Sequence, residues 1–506
     1  MVTRDKSGLL SMLTAATRLM SRRAVAASRA SAIARHMSSQ APEPVVRFES
    51  TLGMRNYILN RPKKLNALND EMLDILRPKI EEWDQAELAG VIVASGEGRA
   101  FCAGGDVESV VKNAQDATTR SKALDFFKRE FELDLLLASL RKPYVAILDG
   151  ITMGGGVGLV AYAPFRVATE KTIFSMPETN IGYCPDVGAS HFLSRLDGEL
   201  GTYLALTSDK LVGRAVFEHG FATHYIPSRR IPLLHDRLAN LENPDLVMID
   251  RVLEELSHER EQEDALPPFV DAQRVALDMA FGHDRVESIV ADLELMKQDV
   301  DPAISEWAAA TLETLKQRSP TSLKVALKAI RLGKKQTLTE ALNMELKIAT
   351  AFCNGASPDF VTGVTSVLVA KSKTRPEWRP ERLEDVSDEI VDRFFSPHST
   401  YIVNAPIIRE HEFLAPEDHV DRTASERKQM RFTLPSEDDI RDVITGADPD
   451  AGDMGYSLDD LLEYFHDKRA GKIGVAEKIL EVVRRRTTVV DNADGNFVWL
   501  RWDNSE

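Results

Sequence analysis

Two acids and a nearby glycine run are the residues of this chain whose types and spacing best suit a chemical reaction. Glu178 and Asp186 are eight positions apart, and the run Gly154-Gly155-Gly156 precedes them. A carboxylate can move a proton, activate a water molecule or attack a carbonyl carbon. Because glycine has no side chain, its backbone N–H can approach and stabilise an oxyanion closely. This combination indicates acyl chemistry.

A second glycine-rich turn supports the same interpretation. Gly105 follows the predicted strand 91–95, just as the first glycine run follows the predicted strand 144–148, and a helix is expected to begin near Val157. A helix N-terminus presents free N–H groups and a partial positive charge. We therefore expect the N–H groups of Gly105 and Gly155 to converge as an oxyanion hole. The alternative is that these glycines serve only to permit tight turns.

The order of the elements predicts an α/β fold that would position both turns. A strand, a glycine-rich turn and a helix occur twice, which is typical of βαβ units around a mostly parallel sheet. Ligands in such folds bind outside the carboxyl ends of the strands, where both turns lie. We predict a catalytic core at 43–235, a mostly helical part at 236–380 and an added extension at 381–506.

Helix signals and a basic run characterise the extension. Ser436 and Ser457 are each followed three residues later by an acid, as expected for helix N-caps. A third amphipathic helix is predicted to end at the arginine run 484–486. Proline and charge accumulate at 375–380, which indicates a linker or a docking strap. We interpret the extension as a docking or helical module; the alternative is that it packs on its own core.

The composition is that of a globular protein with a substantial core. Hydrophobic residues make up 43% and charged residues 28% of the 506 residues. The net charge of -16 argues against broad nucleic-acid binding, which needs a positive surface.

The three cysteines form no CxxC pair, so we expect no disulfide framework and a reducing compartment. We predict no metal site, because His191, His219 and His224 show no ligand spacing and are interpreted as structural.

Residues 1–42 have the composition of a mitochondrial presequence. They are rich in arginine, serine and alanine, and Asp5 is the only acid before Glu43. Arginines interrupt the apolar residues, whereas a secretory signal needs an unbroken apolar core. We predict a transit peptide and a location in the mitochondrial matrix; a basic tail without a targeting role is the alternative. No later stretch approaches the roughly 20 apolar residues of a membrane span.

Several ordered motifs resemble the crotonase, or enoyl-CoA hydratase, superfamily. The resemblance covers roughly 45–380, and its segments lie at 59–62, 101–106, 150–158, 176–188 and 357–380. It implies a repeated β-β-α spiral core with a mostly helical C-terminal part. Within the superfamily the segments are most similar to the branch that hydrolyses 3-hydroxyisobutyryl-CoA in valine breakdown. The resemblance thus implies an acyl-CoA thioester substrate, with coenzyme A as part of that substrate and no fixed cofactor.

The resemblance also assigns roles to individual residues. Carried over by position, the oxyanion-hole amides fall on Gly105 and Gly155, and the substrate-contacting carboxylates fall on Glu130, Glu178 and Asp186. Gly155 also belongs to the implied substrate-binding set. Two neighbouring acids push each other's titration apart, so one of them can stay protonated near neutral pH.

Two positions distinguish hydrolysis from hydration. Hydratases of the superfamily usually carry a catalytic glutamate where this chain has Gly158, and they tend to have glycine where Asp186 stands. The resemblance therefore favours thioester hydrolysis, with hydratase or isomerase activity as a further alternative. One departure is visible at Ala189-Ser190, where the family often has more glycine, and it bears on the shape of this loop.

The division of work between the two acids stays open. Glu178 could attack the acyl carbon to form a mixed anhydride, or act as a general base on water. Asp186 would then manage the proton or bind the 3-hydroxyl of the substrate. In a purely structural role, Glu178 would cap a helix or pair with a surface lysine. Glu130 has the shortest motif, and helical glutamates are usually solvated.

The competing hypothesis is a structural role. Fungal relatives that carry C-terminal extensions resemble a component of the small subunit of the mitochondrial ribosome, and the extension at 381–506 motivates this hypothesis. The two roles are compatible, because an intact site can persist in a docked protein. The oligomeric state stays open, since crotonase relatives often form trimers through C-terminal helices that the hydrolases can fold back on themselves.

Overall fold

The computed structural model describes residues 43–261, 266–409, 431–452, 455–491 and 498–503. The predicted transit peptide at 1–42 lies outside the described residues. Val46–Glu506 forms one compact unit. The finer division of this unit at positions 235 and 380 stays a prediction. Within the described ranges, no helix is long and apolar enough to cross a membrane.

Twelve strands are described. They are β1 (Val46–Thr51), β2 (Met54–Leu59), β3 (Val91–Gly96), β4 (Ala100–Cys102), β5 (Tyr144–Leu148), β6 (Ile151–Met153), β7 (Phe165–Ala168), β8 (Ile173–Ser175), β9 (Leu211–Val212), β10 (His224–Tyr225), β11 (Thr487–Asp491) and β12 (Val498–Trp502).

The helices up to the end of the core are α1 (Asp70–Gln85), α2 (Val107–Gln115), α3 (Arg120–Ala138), α4 (Gly155–Ala161), α5 (Ala189–Phe192), α6 (Leu200–Thr207), α7 (Ala215–Glu218) and α8 (Ile231–Ala239). Those that follow are α9 (Leu246–Leu256), α10 (Asp271–Phe281), α11 (Val286–Met296), α12 (Pro302–Gln317), α13 (Pro320–Gly333), α14 (Leu338–Cys353), α15 (Asp359–Gly363), α16 (Asp388–Phe395), α17 (Glu437–Thr445), α18 (Leu458–Lys468) and α19 (Val475–Arg486).

Two sheets form a spiral of strand pairs. The larger sheet has the order β1-β2-β3-β5-β7-β10 and is parallel except for the β1–β2 hairpin. The smaller sheet has the order β4-β6-β8-β9, with β9 antiparallel. Because β3–β4, β5–β6 and β7–β8 are consecutive, each turn of the chain adds one strand to each sheet. This arrangement confirms the predicted α/β fold with a β-β-α spiral.

The central strands are apolar on both faces because helices and the second sheet cover them. Val91 and Val93 of β3, and Val145 and Ile147 of β5, are buried in a cluster with residues of α8 and α9. Such continuous apolar runs are typical of parallel strands. The carboxyl ends of β3 and β5 lead through β4 and β6 into the two glycine turns, so the rigid sheets fix where those turns lie.

The extension packs on the core. Phe432 joins the apolar cluster of the larger sheet, with its ring 4.7 Å from that of Phe165. Ser436 and Ser457 cap α17 and α18 as predicted, each through a capping box. The basic run at the end of α19 is used internally: the Arg485 side chain is 1% exposed and pairs with Glu437. The hairpin β11–β12 that follows was not predicted, because the helical pattern ends at the arginines.

The proline-rich segment 375–380 is docked on the helical part of the chain. Trp378 is buried, and its Nε1 donates to the carbonyl of Gln317. The backbone N–H of Arg379 donates to Asp359 Oδ1. Of the two predicted roles for this segment, the structure supports a strap rather than a free linker.

Candidate active site

The two glycine turns present unused backbone donors to the same space. The N–H of Leu68 donates to the Gly104 carbonyl and the N–H of Asp106 donates to the Leu68 carbonyl, so the N–H of Gly105 points away from Leu68. Gly155 is the first residue of α4. A Cβ on Gly155 would lie 3.2 Å from the Gly105 nitrogen, so the turns are adjacent. Neither N–H has a protein acceptor among the residues that the structure describes.

Glu130 lies directly against this pair of donors. It belongs to α3, yet it is only 2% exposed. Its Oε1 would lie 3.6 Å from a Cβ on Gly105 and would collide with one on Gly155. The same oxygen is buried without a hydrogen-bond partner among the described residues. Glu130 is therefore not a solvated helical glutamate, because α14 and the glycine turns cover this face of α3, and its predicted contact with the substrate stays a prediction.

Glu178 approaches the neighbouring glycine. It begins a short 3-10 turn, Glu178–Ile181, directly after β8, and it is buried. Its Oε1 would lie 2.8 Å from a Cβ on Gly154, and its Oε2 has no hydrogen-bond partner in the described part of the chain. A surface ion pair is thus excluded for this acid within that part. The side chain is available for chemistry beside the oxyanion donors.

Asp186 is held by an aromatic neighbour. The hydroxyl of Tyr183 donates to Asp186 Oδ2 at 2.9 Å. The Tyr183 ring stacks on Phe127 and Phe360, so its own position is fixed by packing. The structure therefore brings the glycine turns, Glu130 and Glu178 together, with Asp186 near enough to raise the pKa of both glutamates.

Two further buried acids belong to the same cluster and were missed by the sequence analysis. Asp134 lies one helical turn after Glu130, is fully buried, and has no hydrogen-bond partner for either carboxylate oxygen among described residues. Glu345 of α14 is also fully buried. Asp134 follows Glu130 at the spacing of one helical turn, which places both acids on one face of α3 and would have been a usable signal for Asp134. Glu345 gave no local signal, because it joins the cluster only through the packing of α14 against α3 and against the turn at Gly188 and Ser190.

The acids of this cluster bind protons more tightly than usual. Burial raises the pKa of Glu130, Asp134 and Glu178 well above their ordinary values, and neighbouring acids add to it. Burial, together with the charge of Glu345, raises the pKa of Asp186 to about 8. At neutral pH the cluster therefore holds protons, and an acid and a carboxylate can coexist in one site.

Gly158 has no room for the glutamate that a hydratase would place there. A Cβ at this position would lie 2.6 Å from Asp134 Oδ2 and 2.6 Å from Val187 Cβ. The volume beside α4 is already filled by the aspartate of α3. This packing explains physically why the second carboxylate of the hydratase pair is missing.

We expect Gly158→Ala to destabilise the protein by about 1–3 kcal/mol, as overpacked cores do. Alanine has a higher helix propensity than glycine by up to about 1 kcal/mol, which is too small to offset the close contacts of the added methyl group with Asp134 and Val187. Urea unfolding measures the effect. Gly452→Ala is the control, since no described residue lies within 4 Å of its Cβ. Equal stability of the two variants would contradict the close packing.

The cysteines do not supply a nucleophile. All three are free and buried. Burial raises the pKa of Cys184, which lies nearest to the acids, well above its ordinary value, and the charge of Asp186 adds to the effect. A thiol in that state is not the reactive thiolate.

His224 has a structural role that the sequence did not specify. Its ring lies with Asp250 and Glu254, and their ligand atoms are within 4.8 Å of one another. Lys472 of the extension fills this cluster: its Nζ lies 3.1 Å from His224 Nε2 and contacts Glu254 Oε1. The lysine supplies the positive charge that a metal ion would otherwise bring. His219 Nε2 lies 2.7 Å from the Pro268 carbonyl, which fits the predicted structural role.

Removal of the Lys472 charge is expected to lower the free energy of unfolding by about 3 kcal/mol. This is the lower end of the range for breaking a buried ion pair, because the side chains of Asp250 and Glu254 keep some exposure. Lys472→Met preserves the apolar stem of the side chain. Lys468→Met is the control, as its pair with Asp448 is more exposed and should contribute at most about 1 kcal/mol. Thermal unfolding at pH 7 tests the difference, and equal losses would contradict a buried anchor.

Comparison with known proteins places this geometry in context. The profile of the enoyl-CoA hydratase/isomerase family matches residues 54–395. A relative from Danio rerio, "3-hydroxyisobutyryl-CoA hydrolase, mitochondrial", is 40% identical over 71% of this chain and 92% of its own length. The "Small ribosomal subunit protein mS47" of Neurospora crassa is 38% identical over 88% of this chain and 85% of its own length.

A solved structure shows the same architecture. The carnitinyl-CoA dehydratase from Mycobacterium thermoresistibile superposes with a TM-score of 0.62 at 32% identity, over 70% of this chain and 96% of its own. An enoyl-CoA hydratase from Rhodobacter sphaeroides gives a TM-score of 0.60 at 29% identity, over 71% of this chain and 98% of its own. Both matches support the spiral core described above.

Proposed function

Because this chain belongs to the enoyl-CoA hydratase/isomerase family, we propose that it hydrolyses 3-hydroxyisobutyryl-CoA to 3-hydroxyisobutyrate and coenzyme A. One observation supports this function above the others. Buried acids lie against two backbone donors that have no acceptor in the described part of the chain, while Asp134 and Val187 fill the place of the hydratase glutamate at Gly158.

The chain's own groups provide each part of the reaction. The thioester oxygen accepts hydrogen bonds from the N–H groups of Gly105 and Gly155, which stabilise the negative charge that develops there. Glu178, in its ionised form, either attacks the acyl carbon or takes a proton from the attacking water. The carbon–sulfur bond breaks, and the neutral form of Asp186 gives its proton to the leaving thiolate. In the nucleophilic route, water then cleaves the mixed anhydride, one of its protons returns to Asp186 and the other leaves with the product acid. In the general-base route, the proton that Glu178 took from water passes to Asp186, which restores both groups.

Glu130 suits the recognition of the 3-hydroxyl group. Its Oε1 is buried without a partner among the described residues, so a substrate hydroxyl can donate to it. A substrate that lacks this hydroxyl would leave the acceptor unsatisfied at a cost of about 1–3 kcal/mol. This recognition, together with the hydrolysis chemistry, is the basis for proposing the 3-hydroxy acyl group.

Release of free thiol by the purified chain tests the function. We expect turnover of 3-hydroxyisobutyryl-CoA and roughly 10- to 100-fold lower kcat/KM for isobutyryl-CoA, from the cost of the unsatisfied acceptor. Crotonyl-CoA, followed by loss of its double-bond absorbance, tests for hydratase activity. Hydration of crotonyl-CoA without thiol release from the hydroxy substrate would overturn the proposal. We place the activity in the mitochondrial matrix, in keeping with the composition of residues 1–42.

A second function is favoured by the comparison with mS47. The match to the ribosomal protein spans 88% of this chain, against 71% for the zebrafish hydrolase, so it includes sequence that the hydrolase lacks. We propose that the chain also associates with the small subunit of the mitochondrial ribosome through the outer face of its extension. Arg485 is buried in ion pairs and is unsuited to this contact, whereas Val489 is 64% exposed.

Co-sedimentation with mitochondrial small subunits at low and high salt tests the association. Truncation at position 380 is a poor control, because it removes Phe432 and Lys472 from the core. Val489→Glu alters only an exposed side chain. We expect the full chain to sediment with the subunit at low salt and Val489→Glu to do so less. A full chain that stays in the supernatant at low salt would contradict the association.

A further inference from the structure

Glu345 holds the backbone that follows Asp186. Its carboxylate accepts three hydrogen bonds: from the N–H of Gly188 at 2.6 Å, from the N–H of Ser190 at 2.8 Å and from the Ser190 hydroxyl at 2.6 Å. All three donors lie within four residues of Asp186. Glu345 itself is set in α14, a long helix that begins with a capping box at Thr337. A remote helix therefore determines the shape of the loop that carries Asp186.

The loop needs this support because its backbone is strained. Val187 has a φ of 55° and Gly188 a φ of 84°. A positive φ is unfavourable for a β-branched residue and persists only where neighbouring contacts impose it. The hydroxyl of Tyr162 also donates to the Gly188 carbonyl at 2.9 Å. With its support from Glu345, the turn keeps Asp186 in place beside Tyr183.

The Ser190 contact accounts for a departure from the family pattern. This chain has Ala189-Ser190 at positions where the family resemblance implies more glycine. Ser190 uses both its N–H and its hydroxyl on Glu345, and it is 1% exposed. Glycine at this position would provide only the N–H. In this chain the serine adds a donor that stabilises the ionised form of Glu345.

The charge of Glu345 also acts on Asp186. Burial is the largest cause of the raised pKa of Asp186, and the charge of Glu345 is the next. Burial raises the pKa of Glu345 to about 7, against the bonds from Ser190 and Gly188. Glu345 thus ionises first and disfavours a second negative charge nearby. The titratable groups of this cluster are Glu130 and Asp134 of α3, Glu178, Tyr183 and Cys184 of the loop region, and Glu345 and Cys353 of α14.

We propose that Glu345 is a positioning residue for Asp186: it fixes the turn from Gly188 to Ser190, and its charge keeps Asp186 protonated until the leaving thiolate takes the proton. The inference rests on the proposed thioester hydrolysis. It adds a residue on α14 to a site whose other acids come from α3 and from the segment after β8. The proton given to the thiolate comes from Asp186, and Glu345 itself gains and loses none in the cycle.

The pH dependence of kcat/KM tests this role. Because hydrolysis needs protonated Asp186, activity falls on the alkaline side as Asp186 loses its proton. Glu345→Gln removes the neighbouring charge, so Asp186 ionises more easily and the alkaline limb moves to lower pH. We expect a displacement of about one pH unit, which corresponds to about 1.4 kcal/mol of lost charge interaction. An unmoved limb with uniformly lower activity would show a merely structural role and overturn the proposal.

Tyr162→Phe is the matched control. It removes the hydrogen bond from the Tyr162 hydroxyl to the Gly188 carbonyl of the same turn but leaves Glu345 and its three donors in place, so the alkaline limb should stay where it is in the wild type. A displacement equal to that of Glu345→Gln would overturn the charge argument. Failure of the wild type to release thiol would instead contradict the proposed hydrolysis itself. A failure of the charge argument and a failure of the proposed function are therefore distinguishable.

Infrared difference spectroscopy of the wild type provides a second measurement that does not depend on the folding of Glu345→Gln. The difference spectrum between the wild type and Asp186→Asn at pH 7 should contain the carbonyl band of one protonated carboxyl, because the other acids of the cluster contribute equally to both spectra. Its loss with rising pH should follow the alkaline limb of activity. Absence of this band from the difference spectrum at pH 7 would overturn the proposal.

Discussion

Glu178→Gln should lower kcat for 3-hydroxyisobutyryl-CoA by about 10²–10⁴, the usual contribution of a general base. The amide keeps the size of the side chain but can neither attack the acyl carbon nor accept a proton from water. Because Glu178 Oε2 is buried without a partner among the described residues, the loss of its charge should leave stability unchanged or increased. Thiol release measures the effect, and thermal unfolding confirms that the variant is folded.

Glu132→Gln is the matched control for this variant. Glu132 is a buried glutamate of α3, but it pairs with Arg77 and Lys128 instead of facing the glycine turns. Its substitution should reduce stability and leave kcat within a few fold. Full activity of Glu178→Gln, together with a loss of activity in Glu132→Gln, would contradict a role of Glu178 in the reaction.

Gly155→Ala should lower kcat by about 10²–10³, the usual cost of losing one oxyanion donor. The added methyl group would collide with Glu130 Oε1 and lie 3.2 Å from the Gly105 nitrogen. The substitution therefore displaces a donor and an acid together, while alanine at the start of α4 is compatible with the helix. Steady-state thiol release gives kcat, and circular dichroism reports on the fold.

Gly452→Ala serves as the control here as well, since its Cβ would meet no atom of the residues that the structure describes within 4 Å. It should retain wild-type kcat. Activity of Gly155→Ala within a few fold of wild type would contradict an oxyanion hole at this turn. A raised KM with unchanged kcat would instead indicate that the turn contributes to binding equally in the ground state and the transition state.

Local sequence patterns were sufficient for the elements that carry the site. The caps at Ser436 and Ser457 each depend on a few neighbouring residues, and the structure has them where they were predicted. The two glycine turns were found for the same reason, because each directly follows a strand. The helix after the first glycine run begins at Gly155, two residues earlier than predicted.

Long-range pairs were beyond the reach of such patterns. Glu345 meets Ser190 across 155 residues, and Lys472 meets His224 across 248. Nothing near either residue distinguishes it from a solvated side chain. The role of Glu130 came from the family resemblance alone, since its burial depends on helices far away in the chain. The two-residue strands β9 and β10 were also missed, because they are too short to show an alternating pattern.

The contact between Phe432 and Phe165 has a consequence for the order in which this protein can mature. Residue 432 belongs to the same apolar cluster as the central strands β3, β5 and β7, and Lys472 neutralises acids of α9. Synthesis proceeds from the N-terminus, so the ribosome releases these strands well before it releases Phe432 and Lys472. Vectorial synthesis therefore leaves the part of the sheet cluster that Phe432 covers exposed until the extension has been made.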